Sequence, residues 1–217
     1  RRRRWLGAGA LALGSRAPAP GGRPDKAADG PAKPVRLVVP AAAGTAPDIM
    51  ARLLGERLSK IWGQPVIIDN KPGAGGVIGM TAVKNAERDS HGFAFVPASV
   101  ITLTPYMYRP TSVDITRDFT AVGMVAIGPM LAAVRADSPA NTLAEVIQEA
   151  RRHPDKFVVA TTFQYSVPHL TAELLSKAAG VPLRAVPSTS SGQSMTAVVN
   201  GDAQMVRDGI PPLEAMV

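Results

Sequence analysis

From Pro34 onward, short β-branched apolar runs alternate with stretches whose apolar residues recur at helical spacing, and this alternation leaves few folds open. The run at 35–39 predicts a strand buried on both faces. Ile49, Met50, Leu53, Leu54, Leu58 and Ile61 then predict a helix that Trp62-Gly63 ends, with Pro47 in its first turn and a capping box of Thr45 and Asp48 at its start. A strand at 66–69 follows, then a glycine-rich loop at 70–76 that opens a second helix, and a strand at 93–96. The passages 121–127 and 130–134 are extended and are broken by Gly128-Pro129, where the chain can pass between domains. Beyond it, a second capping box, Thr142 with Glu145, precedes the stripe Leu143, Val146, Ile147 and Ala150. A strand at 157–161, helix at 166–179, strand at 183–186, helix at 191–199 and strand at 203–206 complete the pattern.

Such βα alternation predicts an α/β fold with mostly parallel sheets covered by helices on both faces. Ligands of open sheets lie outside the carboxyl ends of strands, so the loops after Val39, Asp69, Val96, Thr161, Val186 and Val206 are the places for function. The length, 217 residues, suffices for one large domain or two small ones.

Net charge is +7, but residues 1–30 hold seven basic and two acidic side chains, which leaves 17 basic against 15 acidic in the remainder. The body of the chain therefore lacks a nucleic-acid footprint. Arg1 to Arg4, the apolar stretch 5–13 and a Pro/Gly/Ala-rich run follow the order of an export signal, and Arg2-Arg-Arg-Trp-Leu6 has twin-arginine spacing. The competing reading is a basic tail or a mistranslated upstream region. The stretch is shorter than the roughly 20 apolar residues of a membrane span, and 1–33 is set apart as signal and linker. Zero cysteines exclude a disulfide framework, a thiolate zinc site and a thiol nucleophile.

Two loops have binding chemistry. Pro40 to Asp48 and Asn70 to Gly76 each end at a helix start, where free amides and the positive dipole end favour an anion, and together they could hold one carboxylate without a formal positive charge. A plain structural turn is the competing reading of the glycine loop, which lacks both the dinucleotide fingerprint and a phosphate-binding GxxxxGK[ST]. Asp48 is either a cap or a ligand contact. His91, His153 and His169 have no metal-site spacing, so no metal is expected. Ser166 and His169 lie one helical turn apart, and Asp208 could approach them, but no nucleophile elbow accompanies them. His169 is read as a helix-start or cleft-wall residue.

These residues carry a resemblance. Lys33-Pro-Val-Arg-Leu-Val-Val-Pro40, Asp48-Ile-Met-Ala-Arg52, Gly63-Gln-Pro-Val66, Asn70-Lys-Pro-Gly-Ala-Gly-Gly-Val-Ile-Gly79, Arg117-Asp-Phe119, Thr142-Leu-Ala-Glu145, His169-Leu-Thr-Ala-Glu173 and Gly201-Asp202 occur in one order. From about Pro34 to the last residue, the chain resembles the tripartite tricarboxylate transporter receptors, also called Bug receptors, which are periplasmic solute-binding proteins. The resemblance implies a type II periplasmic-binding-protein fold of two hinged lobes, 34–128 and 129–217, closing over a small carboxylate-bearing solute and delivering it to membrane permease subunits. It implies a monomer, with no reaction, cofactor or nucleic-acid partner. Family logic places the carboxylate on Ala41, Gly44, Thr45, Ala46 and Asp48 of the first loop and Gly75 and Gly76 of the second. Ser99, Thr162, Ser166, His169 and Asp208 finish the pocket.

Where relatives carry glycines before the helix of His169, this chain has Phe163 and Tyr165, bulky side chains in space that a solute would use. It also departs from the family at Ala41, Gly44-Thr45, His91-Gly92 and Ser188 to Ser191. Family members continue past Val217 with the end of a helix, a strand crossing back to the first lobe and that lobe's closing helices, so the expected fold is truncated at its C-terminus. A degenerate, non-binding relative is the second reading, and an α/β enzyme a remote third.

Overall fold

A computed structural model describes residues 30–108 and 112–214; the export-signal reading of 1–29 lies outside them. The chain builds two sheets. In the first, β1 (Val35–Val39) lies between β2 (Val66–Asn70) and β3 (Gly92–Ala94), all parallel, with Val35 opposite Val66 and Leu37 opposite Phe93. α1 (Ala46–Trp62) joins β1 to β2, and α2 (Val77–Lys84) carries the chain across β1 to β3. β1 is apolar on both faces because each is covered: Leu37 and Val39 pack with Ala51 of α1, and Met80 of α2 packs with Val100 and Val113 on the other side.

The face that α1 presents differs from the expected stripe. Ala51 and Gly55 are its residues buried on the sheet, whereas Leu53 and Ile61 are 61% and 75% exposed. Small residues let the helix lie close: a Cβ on Gly55 would stand 3.1 Å from Ile68 Cδ1 and 3.3 Å from Val66 Cγ1. Gly63 ends α1 in the left-handed region at φ 66°, its N–H donating to the Ser59 carbonyl at 3.0 Å. Three short helices, α3 (Ala98–Thr102), α4 (Thr104–Met107) and α5 (Ile115–Asp118), were not foreseen, being too short to show a period. Residues 121–129 are exposed and unpaired, so of the expected extended passages only β4 (Met130–Ala133) joins a sheet.

The second sheet has the order β4-β7-β5-β6, with β5 (Val158–Thr161), β6 (Arg184–Pro187) and β7 (Met205–Gly209); β4 alone runs antiparallel. α6 (Leu143–Arg152) and α7 (Val167–Ala179) cover one face through Val146, Ala150 and Ala172, packed with Val159 and Met205. α8 (Ser191–Val199) and the short α9 (Ile210–Glu214) cover the other through Val198 and Leu213, packed with Ala160 and Val206. The capping box of α6 forms: Glu145 N donates to Thr142 Oγ1 at 3.2 Å, and Thr142 N donates to Glu145 Oε2 at 3.1 Å.

Each sheet reverses its winding once. β1 feeds β2 on one side while β3 adds on the other, and β5 feeds β6 while β7 adds on the other. Crevices therefore open beyond the carboxyl ends of β1/β3 and β5/β7, the topological switch points where open α/β sheets take ligands.

Candidate functional site

The loop leaving β1 is organised by a buried carboxylate. Asp48, 2% exposed, accepts Gly44 N on Oδ2 at 2.8 Å and Asn70 Nδ2 on Oδ1 at 2.9 Å. Arg52 adds Nε to Oδ2 at 3.1 Å and Nη2 to Oδ1 at 3.0 Å, while Asn70 Nδ2 also donates to the Ala41 carbonyl at 3.1 Å. Burial alone would push the Asp48 pKa up; the hydrogen bonds from Arg52, Gly44 and Asn70 outweigh it and hold the group below its ordinary value. The capping box expected of Thr45 and Asp48 does not form. Thr45 Oγ1 turns back to donate to the Ala42 carbonyl at 2.6 Å, and Asp48 receives Gly44 N instead of Thr45 N, because Arg52 and Asn70 draw its carboxylate across the loop.

The loop leaving β2 lies beside it. Gly73, Ala74, Gly75 and Gly76 all have positive φ, at 123°, 47°, 60° and 99°. The loop closes as a short 3-10 turn at Ala74–Gly76, in which Gly76 N donates to the Gly73 carbonyl at 2.9 Å and Val77 N to the Ala74 carbonyl. Only glycine fits at Gly76, where a Cβ would stand 2.7 Å from Val100 Cγ2. At Gly75 a Cβ would run into the Tyr108 ring, while the Gly75 carbonyl accepts Thr104 Oγ1 at 2.6 Å. Pro40, the first residue after β1, is wedged against Gly79 and Gly76, so the two loops form one edge. α1 and α2 both start without a side-chain cap, whereas α6, α7 and α8 are capped by Thr142, Ser166 and Ser190. Among the helices of eight residues or more, the two uncapped starts are the two that share this edge; Gly76 N and Val77 N are already engaged within the turn, so a guest would be met by the remaining first-turn amides and the two dipole ends.

Ser99, 2% exposed at the start of α3, lies on the same rim, its carbonyl accepting Leu103 N at 2.8 Å. Across from it, Thr162 Oγ1 donates to Ser166 Oγ at 3.2 Å, and Ser166 Oγ accepts the His169 main-chain N–H at 3.3 Å, so this hydroxyl serves as a helix cap. The His169 ring meets Tyr165 edge-on, with centroids 6.2 Å apart. Tyr165, at φ 62°, in turn makes a T-shaped contact with Tyr108 at 5.6 Å. Tyr108 belongs to the first sheet's side and Tyr165 to the second's, so this ring pair bridges the two above Gly75.

Asp208 is 3% exposed; its Oδ1 accepts Gly209 N at 2.7 Å, while Oδ2 has no hydrogen-bond partner. Burial pushes its carboxyl pKa up, against the pull of the nearby Ser191 hydroxyl and the Gly209 amide. A Cβ on Gly209 would stand 2.9 Å from Ala46 Cβ, so the end of β7 abuts the start of α1. The structure thus gathers Ala41, Gly44, Thr45, Ala46, Asp48, Gly75, Gly76 and Ser99 on one rim. Thr162, Ser166, His169 and Asp208 stand at the carboxyl ends of β5 and β7, and Gly209 and Tyr165 touch the first rim. Sequence reasoning missed Tyr108, Asn70 and Arg52 as organisers of the rim; the Asn after a buried strand was the one signal available. Among the described residues, no group of three His, Asp or Glu side chains is placed to hold a metal ion, and no helix is long and apolar enough to cross a membrane.

Known proteins share this architecture. R. palustris Rpa4515, solved with adipate, superposes with a TM-score of 0.81 at 31% identity over 86% of this chain and 64% of its own. The periplasmic binding protein BugD superposes at 0.78 and 29% identity, over 86% of this chain and 62% of its own. MatC from Rhodopseudomonas palustris, solved with bound malate, superposes at 0.70 and 30% identity over 86% of this chain and 64% of its own. The fold is therefore that of the two-lobed periplasmic binding proteins. Among curated sequences, a UPF0065 protein of Cupriavidus necator is 35% identical over 82% of this chain and 54% of its own, and one of Bordetella bronchiseptica is 33% identical over 83% and 53%. The chain spans about half the length of these relatives. The profile described as Tripartite tricarboxylate transporter family receptor matches residues 50–217, and the chain belongs to that family.

Proposed function

We propose that the protein is an extracytoplasmic solute-binding receptor that captures a small carboxylate and presents it to the permease subunits of a tripartite transporter. The observation that carries this reading is the pair of uncapped helix starts, α1 and α2, set side by side on the carboxyl edge of the first sheet. Their amides and aligned dipoles stabilise a carboxylate without the desolvation cost of a buried lysine or arginine. The adipate and malate held by two structural neighbours support the same ligand class. In this reading 34–128 and 129–217 act as lobes, and a solute touched by both shifts the population toward a closed state. The place of action is the periplasm. No reaction is assigned: the Ser166 hydroxyl is engaged as a helix cap and the His169 ring is engaged by Tyr165.

A thermal-shift panel of di- and tricarboxylates, amino acids and aromatic acids tests the reading. A solute at 100 times its dissociation constant adds about 2.7 kcal/mol to the stability of the folded state. Stabilisation by one or more acids is expected. No shift across the panel refutes the receptor and favours a non-binding relative.

A further inference from the structure

Arg207 has no role in the site described so far. Side chains alternate along β7: Met205 joins the core under α6 and α7, and Val206 joins the core under α8 and α9. Arg207 therefore rises on the α7 face, and Asp208 turns away to the α8 face beside Ser191. Across the parallel β5/β7 pair, Arg207 is in register with Thr161, the last residue of β5. These two side chains flank the switch point of the second sheet, where its ligand crevice opens.

Both are polar groups without partners. Thr161 is 0% exposed, and its Oγ1 makes no hydrogen bond; Arg207 Nε is buried and makes none either. Among the described residues, no carboxylate pairs with the guanidinium, and burial is the one influence on its pKa, which it lowers. The guanidinium is half-buried, and its Nε, out of water and without an acceptor, costs stability that a guest carboxylate would relieve. The position fits. Gly209, two residues on, abuts Ala46 at the α1 start, so Arg207 lies about 7 Å along the strand from the first anion site. That separation matches the two ends of a short diacid.

We propose that Arg207 and the Thr161 hydroxyl form a second anion subsite that takes the far carboxylate of the solute, so that the protein selects dicarboxylates over monocarboxylates. This rests on the receptor reading above. One carboxylate sits on the amides of α1 and α2, and the other makes a charge-assisted, bidentate contact with the guanidinium.

Isothermal titration of the full chain with succinate and adipate, each against its monoacid counterpart, butyrate and hexanoate, tests the subsite. The wild type binds the diacids at least about 10-fold more tightly than the monoacids, because only the diacid gains the charge-assisted contact of the second carboxylate with the guanidinium. Arg207→Met removes that preference while leaving monoacid affinity within about twofold. Its urea midpoint without ligand is equal to or above the wild type's, since a half-buried cation with an unpartnered Nε has been replaced by an apolar side chain. Arg207→Lys keeps part of the preference. Equal binding of diacids and monoacids by the wild type, a diacid preference that survives Arg207→Met, or a ligand-free Arg207→Met protein that unfolds more readily overturns the subsite and leaves the receptor standing. Failure of the wild type to bind any of the four acids overturns the subsite; the receptor reading falls only if the whole thermal-shift panel is silent as well.

Discussion

Replacing Asp48 with alanine separates the two roles its position allows. All of its acceptor capacity on the protein side is already used, by Gly44 N, Asn70 Nδ2 and the Arg52 guanidinium. Hydrogen bonds to a charged group contribute about 1.5–3 kcal/mol each when buried. The Arg52 side chain is 53% exposed, so its share falls to the surface range of about 0–1 kcal/mol. Gly44 is exposed and regains water on its amide, while Asn70 keeps the Ala41 carbonyl. A net loss of about 2–3 kcal/mol remains, worth roughly 4–12 °C in Tm for a chain of this size. Urea denaturation without ligand at pH 7 measures it. The sign of the pH dependence follows from the depressed pKa: the stabilisation is present above the ordinary value of 3.8 and is lost as pH falls through the lower folded value. The wild-type and Asp48→Ala curves should therefore converge below about pH 4. A loss smaller than about 0.5 kcal/mol, or one that is constant from pH 7 to 3, refutes the claim that this carboxylate holds the loop.

Three further outcomes are expected. Asp208→Asn raises stability at pH 7 and has little effect at low pH, because burial lifts the Asp208 pKa and ionising it costs folding energy as pH rises; an equal change at both pH values in chemical denaturation counts against this. Gly79→Ala loses about 1–2 kcal/mol despite better helix propensity, since its Cβ would lie 2.9 Å from Pro40 Cα and 3.0 Å from the Lys71 carbonyl, whereas Gly192→Ala, in open space, gains a few tenths. Similar effects in the two melts would contradict the close approach. Tyr165→Gly changes stability by less than about 1 kcal/mol, because relief of a positive φ offsets the lost ring pair, and a larger loss by differential scanning calorimetry would show that the ring carries more than its two edge contacts.

What the sequence revealed depended on how far apart the interacting residues lie in the chain. β1, α1 and the capped α6 follow from neighbours within a few positions, and their limits fall within a residue or two of the pattern. The packing face of α1 did not follow, because hydrophobicity points to Leu53 and Ile61 while close approach to Val66 and Ile68 selects Ala51 and Gly55. Asp48 stood out in the sequence as a cap or a ligand contact, but its role in holding the loop did not: Asn70 is 22 residues away, and its pull dissolves the local capping box. The glycine-rich rim beside the starts of α1 and α2 could be read because glycines and a helix start are adjacent in sequence. Tyr108 over Gly75 and the unpaired Arg207 could not, since each depends on strands or loops brought together by the topology.

The same winding reversal occurs in both sheets, and it sets what a guest must supply. Gly209 meets Ala46, and Tyr165 meets Tyr108. An aromatic pair contributes about 0.5–1.5 kcal/mol, which shifts an open-to-closed ratio by roughly 2- to 12-fold. Moving a two-state equilibrium from 1:99 to 99:1 takes about 5.5 kcal/mol of differential affinity. In the proposed receptor the ring pair would bias closure without completing it. A carboxylate bound to the α1 and α2 amides alone touches only the first sheet, so it strengthens binding equally in open and closed forms and leaves the ratio unchanged. The deciding contact has to come from the second sheet, where Thr161 and Arg207, on the α7 face, are among the unmet donors. A solute with a single charged end would bind without closing the cleft; one with two would do both.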